Sequence, residues 1–360
     1  MPNHITNILT IQADENKVQS ILENIKSEEY GLDSIDFNKI IPMPESLNIE
    51  AGSRSNRGLE LYRSFLQDSA AVAYADVQNT EPSPYHSEAV TALLKKYQEL
   101  TKDDPELLQL GRKCYENIQN YGCTDWYDWS IKNWGTKWNA YGYKEFPEYQ
   151  ESDSEIRFLT AWAAPHPILE KLTEMYPDVT FSHRWADEDF GHNVGERDYL
   201  GGEIVSENIP TGGSTEAYEM AADILDIELN SEESGYYLSA EESGYFYLDT
   251  DETYELIELF DKPALFSNSR ITASEIPKGL YCYDLRSNDD GNRFAAIEPH
   301  LSVNHAGSVI TNSPIDFGEA GYIAFNDETS PNFLGDQITL PQFMNGDFEQ
   351  TQEQDGGMEL

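Results

Sequence analysis

Over residues 4–12, Ile5, Asn7, Leu9 and Ile11 fall on one side of an extended chain, a spacing that predicts a strand. Val18, Ile21, Leu22 and Ile25 then recur at helical spacing and give one apolar face. Residues 35–41 read as a second strand, stopped by Pro42 and Pro44. The same order returns later in the chain. Residues 158–164 are strand-like, and Pro167 suits the first turn of a helix, where its missing N–H is not needed. Ile168, Leu169, Leu172, Met175 and Tyr176 continue with helical period, Pro177-Asp178 breaks it, and residues 179–185 return as a strand. Two strand–helix–strand units predict an α+β fold, the split β-α-β arrangement of a ferredoxin-like sandwich.

Between the two units lies a long insertion with helical patterns at residues 58–66, 87–100 and 105–120. It continues into an aromatic block holding Trp126, Tyr127, Trp129, Trp134, Trp138, Tyr141 and Tyr143. After the second unit, residues 194–209 can pair around Gly201-Gly202 as a hairpin. Ser214 is a suitable N-cap for a helix through Leu225, with Glu216 favourable in its first turn. A near-duplicate, Glu232-Glu233-Ser234-Gly235-Tyr236-Tyr237 and Glu241-Glu242-Ser243-Gly244-Tyr245-Phe246, suggests a second hairpin turning at residues 240–244. Residues 250–260 read as a short acidic helix. Beyond Lys262, short β-like runs alternate with turn signals such as Asn288-Asp289-Asp290-Gly291. The expected organisation is a ferredoxin-like domain at 1–57 and 151–226, a helical and aromatic insertion at 58–150, and an acidic Tyr-rich hairpin and helix at 227–261. A small β-rich accessory domain at 262–345 and a disordered polar tail at 346–360 complete it.

Composition alters this picture in one respect. With 39% hydrophobic residues and 12% aromatics, the 360-residue chain has enough apolar surface to fold. Yet 66 Asp and Glu face only 23 Lys and Arg, for a net charge of −43. That excludes the usual nucleic-acid binder, which neutralises phosphates with basic side chains. It favours a basic protein partner, a solubility role or a high-salt habitat. No basic segment followed by an apolar one marks the N-terminus for export, and no apolar run is long enough to span a membrane. Cys114, Cys123 and Cys282 are odd in number and lack paired metal spacing, so reduced thiols in a cytoplasm are expected.

The charge is concentrated. Residues 187–261 hold 22 acidic side chains and one basic residue, Arg197, a net −21 that is about half of the chain's −43. The expected partner-binding residues are Asp187, Glu188, Asp189, Glu203, Glu207, Glu216, Glu219, Asp223, Asp226, Glu228, Glu232, Glu233, Glu241, Glu242, Asp249, Asp251, Glu252, Glu255 and Glu258, with Tyr236 and Tyr245. Duplex DNA carries one charge per ~1.7 Å of axis, so carboxylates laid along a rigid edge can imitate a length of duplex.

Several separate motifs resemble one family. Met1-Pro2-Asn3-His4, Ile35-Asp36-Phe37-Asn38-Lys39-Ile40-Ile41-Pro42-Met43-Pro44, Trp134-Gly135-Thr136-Lys137-Trp138-Asn139 and Thr160-Ala161-Trp162-Ala163-Ala164-Pro165-His166-Pro167 resemble the YubB-type ferredoxin-like proteins of phages and plasmids, over roughly residues 1–225. Residues 277–286 and 303–307 resemble the accessory domains of large polyvalent mobile-element proteins. The resemblance implies a phage, plasmid or conjugative origin and transfers no catalytic residues.

Other chemistry is thinly represented. His183, Asp187, Asp189 and His192 have residue types suited to a divalent metal, but a strand end followed by a polar loop is the plainer account of them. Asp249-x-Asp251-x-Thr253 begins like a calcium loop and lacks the glycine at its sixth position. Neither a Gly-x-Ser-x-Gly elbow nor a Walker-type phosphate loop occurs. The tryptophan block could stack on bases, yet Lys132, Lys137 and Lys144 supply little positive charge, so core packing or a protein-binding patch is the plainer reading. The expectation is a non-enzymatic DNA mimic without catalytic residues, metal or cofactor, blocking the nucleic-acid channel of a host restriction or CRISPR nuclease. An accessory or scaffold protein binding other proteins of its mobile element is the alternative.

Overall fold

The protein's structure is a computed structural model that describes residues 2–77, 85–143, 154–249, 251–287, 293–296, 305–325 and 330–348. It divides into two compact units, Met1–Glu188 with Gly195–Asn208, and Asp189–Val194 with Ile209–Leu360.

In the first unit, β1 (His4–Gln12) leads into α1 (Glu15–Ile25), which is capped by the Asp14 side chain accepting from the Lys17 N–H. The insertion contributes α2 (Ser53–Val77), α3 (Tyr85–Leu100), α4 (Leu107–Tyr121) and α5 (Trp126–Trp134). Then come β2 (Glu155–Ala161), α6 (His166–Met175), β3 (Thr180–Asp187), β4 (Gly195–Leu200) and β5 (Glu203–Asn208). The sheet runs β2-β1-β3-β4-β5, with every neighbouring pair antiparallel. β2 and β3 therefore flank β1 and are joined through α6. The chain turns from β4 to β5 at Gly201 and Gly202, both at positive φ, as a two-residue hairpin requires.

One expected strand is absent. Residues 35–41 hold a short 3-10 turn, Phe37–Lys39, capped by the Asp36 carboxylate accepting from the Asn38 N–H. Ile35, Phe37 and Ile40 are still buried, but against α1, α5 and the sheet, in the core with Leu9, Ile21, Phe158, Leu169 and Phe181. Burial without a ladder partner imitates the alternation of a strand. Trp129 and Trp134 belong to this core, with Trp134 Nε1 donating to the Ile41 carbonyl at 2.9 Å. α2 and α4 pack at Gly58 and Gly111, where a Cβ on Gly111 would lie 1.8 Å from the Gly58 carbonyl oxygen.

The second unit holds α7 (Thr215–Leu225), the hairpin of β6 (Tyr236–Leu238) and β7 (Tyr245–Tyr247), and a sheet. Its strands are β8 (Thr253–Leu259), β9 (Lys262–Ser267), β10 (Tyr281–Ser287), β11 (Arg293–Ala296), β12 (His305–Thr311), β13 (Tyr322–Ala324) and β14 (Asn332–Thr339), followed by α8 (Leu340–Asn345). Among the described residues the sheet order is β13-β11-β10-β12-β9-β8-β14. The acidic helix expected at 250–260 is instead β8. Tyr254 and Leu256 face one core with Leu265, Ile310 and Phe343; Ile257 and Leu259 face another with Phe266 and Val309. A strand buried on both faces loses simple alternation, and its two glutamates then suggest a helix. Strand β8 thus joins the β-rich sheet ahead of Lys262, and α7 belongs to the second compact unit. Of the expected tail only 346–348 are described; 349–360, the turn at 288–291, and Lys144 and Tyr149 lie outside the described residues.

Among the described residues no helix is long and apolar enough to cross a membrane. The three cysteines are unbridged, and burial raises each thiol above its usual range, Cys282 to about 12.

Candidate acidic interaction surface

The expected acidic residues divide between the two units. In the first, Asp187 is buried at the end of β3, where its Oδ1 accepts from Asn3 Nδ2 at 3.1 Å. It is a structural residue and drops out of the exposed set. Glu188 is exposed, as are Glu203 and Glu207 on β5, where Glu207 pairs with Arg197 at 3.2 Å.

The second unit brings the others into closer order. Ser214 caps α7, its Oγ accepting from the Ala217 N–H. Ala217, Ala221, Ala222 and Ile224 are buried, so Glu216, Glu219, Asp223 and the C-cap Asp226 fall on the solvent side. Their spacing of three, four and three residues is one stripe along a helix. Behind it Tyr218 meets Phe190 at 5.4 Å, Tyr236 at 6.2 Å and Tyr245 at 5.7 Å between ring centroids. Phe190 also lies 4.3 Å from Tyr236. Tyr236 and Tyr245, expected at the partner interface, are half-buried and tie the hairpin to the helix. Such ring pairs contribute ~0.5–1.5 kcal/mol each beyond area burial.

The hairpin places Glu241 and Glu242 at its exposed turn, and Glu232 and Glu233 in the turn before β6. Glu242, at φ 56°, pairs with Lys278 at 2.9 Å, and Glu232 accepts from Asn345 Nδ2 at 3.0 Å. Gly244 closes the turn where a Cβ would stand 2.6 Å from the Gly213 carbonyl oxygen. Glu228, Asp249, Asp251 and Glu252 are exposed, and Asp249 Oδ1 accepts from the Asp251 N–H. On β8, Glu258 is exposed and Glu255 is half-buried.

The residues with metal-ligand chemistry are separated by their roles. His183 is fully buried, stacks on Trp185 and shares a 3.0 Å hydrogen bond between its Nε2 and Asn7 Oδ1. Burial, with His166 and Arg197 nearby, holds its pKa well below the ordinary value, so the ring is neutral. Asp189 and His192 lie in the second unit, 3.8 Å apart. Among the described residues no cluster of three or more His, Cys, Asp or Glu is arranged to hold a metal ion.

The first unit also carries an aromatic array that sequence reasoning saw only in part. Lys137 Nζ lies 4.6 Å from the Trp138 ring centroid and 4.7 Å from that of Trp162. Tyr127 meets Trp162 edge-on at 6.0 Å. Trp162 is 41% exposed yet sits at φ 75°, a conformation uncommon for so bulky a side chain. Its N–H donates to the Asn3 carbonyl, while Thr136 and Lys137 bond to Ala161. The outward signal was a tryptophan at a strand end, three residues before Pro165.

No curated protein matches the chain. Of solved structures, a crystal structure of protein api92 from Yersinia pseudotuberculosis is 12% identical, with 59% of this chain and 99% of that chain covered and a TM-score of 0.27. Residues 133–228 match the model of the ferredoxin-like domain in Api92-like protein, and residues 250–345 match that of large polyvalent protein associated domain 28.

Proposed function

We propose that this chain is a non-enzymatic acidic inhibitor encoded by a mobile genetic element. It acts in the cytoplasm of a bacterial host, as a DNA mimic that occupies the basic nucleic-acid channel of a restriction or CRISPR nuclease. The observation that carries this reading is the α7 stripe fixed to the hairpin through Tyr218, Tyr236 and Tyr245. Four carboxylates from Glu216 to Asp226 span ~15 Å of helix axis, about one per 5 Å. One DNA strand carries a phosphate per ~3.4 Å, so the stripe approaches the charge density of a single strand. Ordering these groups in advance removes an entropic cost that a flexible acidic tail would bear on binding. The YubB-type resemblance and the match to a large polyvalent protein associated domain support a mobile-element origin. Affinity capture from host lysate at low and high salt tests the proposal. It predicts recovery of DNA-binding nucleases that falls steeply with salt.

The aromatic array favours a second reading, an accessory protein that binds other proteins of its element. Trp and Tyr are the side chains that most often anchor protein interfaces. Capture that resists salt and is lost in Trp162→Gly would support it over the decoy.

A further inference from the structure

The turn joining β8 to β9 has only two residues, Phe260 and Asp261, at φ 55° and 57°. Positive φ at both positions is the type I′ pattern, which strongly prefers Asn-Gly. Aspartate tolerates it, but for a phenylalanine it is unfavourable, and such residues persist where the surroundings hold them. Phe260 is held by a stack on Phe325, with centroids 5.9 Å apart and planes 25° apart. Its position puts it in the wall of a cavity of about 390 Å³, together with Pro263, Pro314, Ile315 and Ile323. That volume is in the range of small-molecule sites.

Lys262, Thr311, Ser313 and Asp316 supply the polar side chains of this cavity. Lys262 lies within it, and its Nζ has one partner among the described residues, Ser313 Oγ at 3.4 Å. In a chain with 66 Asp and Glu, an ammonium in this cavity with no carboxylate within 4 Å among the described residues is available for an anion. Asp316 also lines the cavity, with its Oδ1 engaged by the Gly318 N–H.

We propose that this cavity binds an apolar carboxylate. Its aryl or branched-alkyl body lies against Phe260, Ile315 and Ile323, and its carboxylate meets Lys262 Nζ and Ser313 Oγ. A free small acid and the C-terminal residue of a polypeptide share this chemistry.

Titration of the full chain, followed by amide chemical shifts, separates the two sources. The probes are 3-phenylpropionate and its amide, and a tetrapeptide ending in Phe with a free or amidated terminus. Expected are saturable shifts at residues 259–263 and 313–316 for at least one free carboxylate, with its amide ~10-fold weaker. Lys262→Gln should abolish that preference, and Asp316→Asn should tighten carboxylate binding. Phe260→Asn should weaken binding while leaving Tm within ~4 °C, since it exchanges a stack for a relaxed turn. Binding by 3-phenylpropionate alone identifies a small-molecule site, and binding by the free peptide alone identifies a chain-terminus site. The proposal is overturned if nothing saturates by ~10 mM, if acid and amide bind alike, or if Lys262→Gln keeps the preference.

Discussion

At the turn of the β6–β7 hairpin, the Lys278 ammonium lies 2.9 Å from Glu242 Oε1. Both side chains are more than half exposed, so the pair contributes only ~0–1 kcal/mol. The acidic turn is therefore held by its backbone and tyrosines, and its charge is separable from its fold.

Reversal of Glu232, Glu233, Glu241 and Glu242 to Lys should accordingly leave the protein folded. Urea unfolding should give a stability within ~1–2 kcal/mol of wild type, with an unchanged m-value. Loss of cooperative unfolding would mean that the carboxylates are structural.

Ser214 is the capping residue on which the acidic stripe depends. Ser214→Ala should cost ~1 kcal/mol, and Ser214→Asp should retain most of the stability because its carboxylate can accept from the same N–H. Denaturant midpoints of the two variants check this.

Trp134 of the insertion and Trp162 at the end of β2 should behave oppositely. Trp134 is 4% exposed and packs edge-on against Phe37 and Trp129, so Trp134→Ala should cost ~3–5 kcal/mol. Trp162→Gly loses contacts to Lys137 and Tyr127 but relieves positive φ, and should change stability by less than ~1 kcal/mol. Equal losses in calorimetry would show that Trp162 is also a core residue.

His166, at the start of α6, shares a 2.8 Å hydrogen bond between its Nδ1 and the Tyr199 hydroxyl and packs against Trp185 and His183. Burial, and secondarily Arg197, lowers its pKa from 6.5 to about 4. Below pH 6.5 the unfolded chain takes up a proton that the folded chain refuses, so stability is lost as pH falls toward 4. The sign follows from proton linkage, and the loss amounts to roughly 2–3 kcal/mol. Comparing urea unfolding of wild type and His166→Gln from pH 7 to pH 4 isolates this contribution, since the variant lacks that part of the slope.

Much of the framework was legible from local signals. Gly201-Gly202 marks the β4–β5 turn, Ser214 marks the start of α7, and the Ser-Gly-Tyr duplicate marks the β6–β7 hairpin. Residues 35–41 misled because Ile35, Phe37 and Ile40 are buried without a ladder. β8 misled because it is covered on both faces. The acidic surface was legible as composition but not as arrangement. Asp187 resembles its exposed neighbours in sequence, yet it is buried at the end of β3, paired with Ile5 of β1 and bonded to Asn3. That Tyr236 and Tyr245 brace α7 depends on Phe190 and Tyr218, which no local pattern connects to them.

The most direct measurement is competition between this protein and labelled duplex DNA for purified restriction and CRISPR nucleases, at ~50 and ~200 mM salt. The wild type is compared with a variant carrying Glu216→Lys, Glu219→Lys and Asp223→Lys on α7. The account predicts that the wild type displaces DNA from at least one nuclease at low salt, less at high salt, and that the variant does not. Displacement by the charge-reversed variant as strong as by the wild type, or no displacement from any nuclease at low salt, would contradict it.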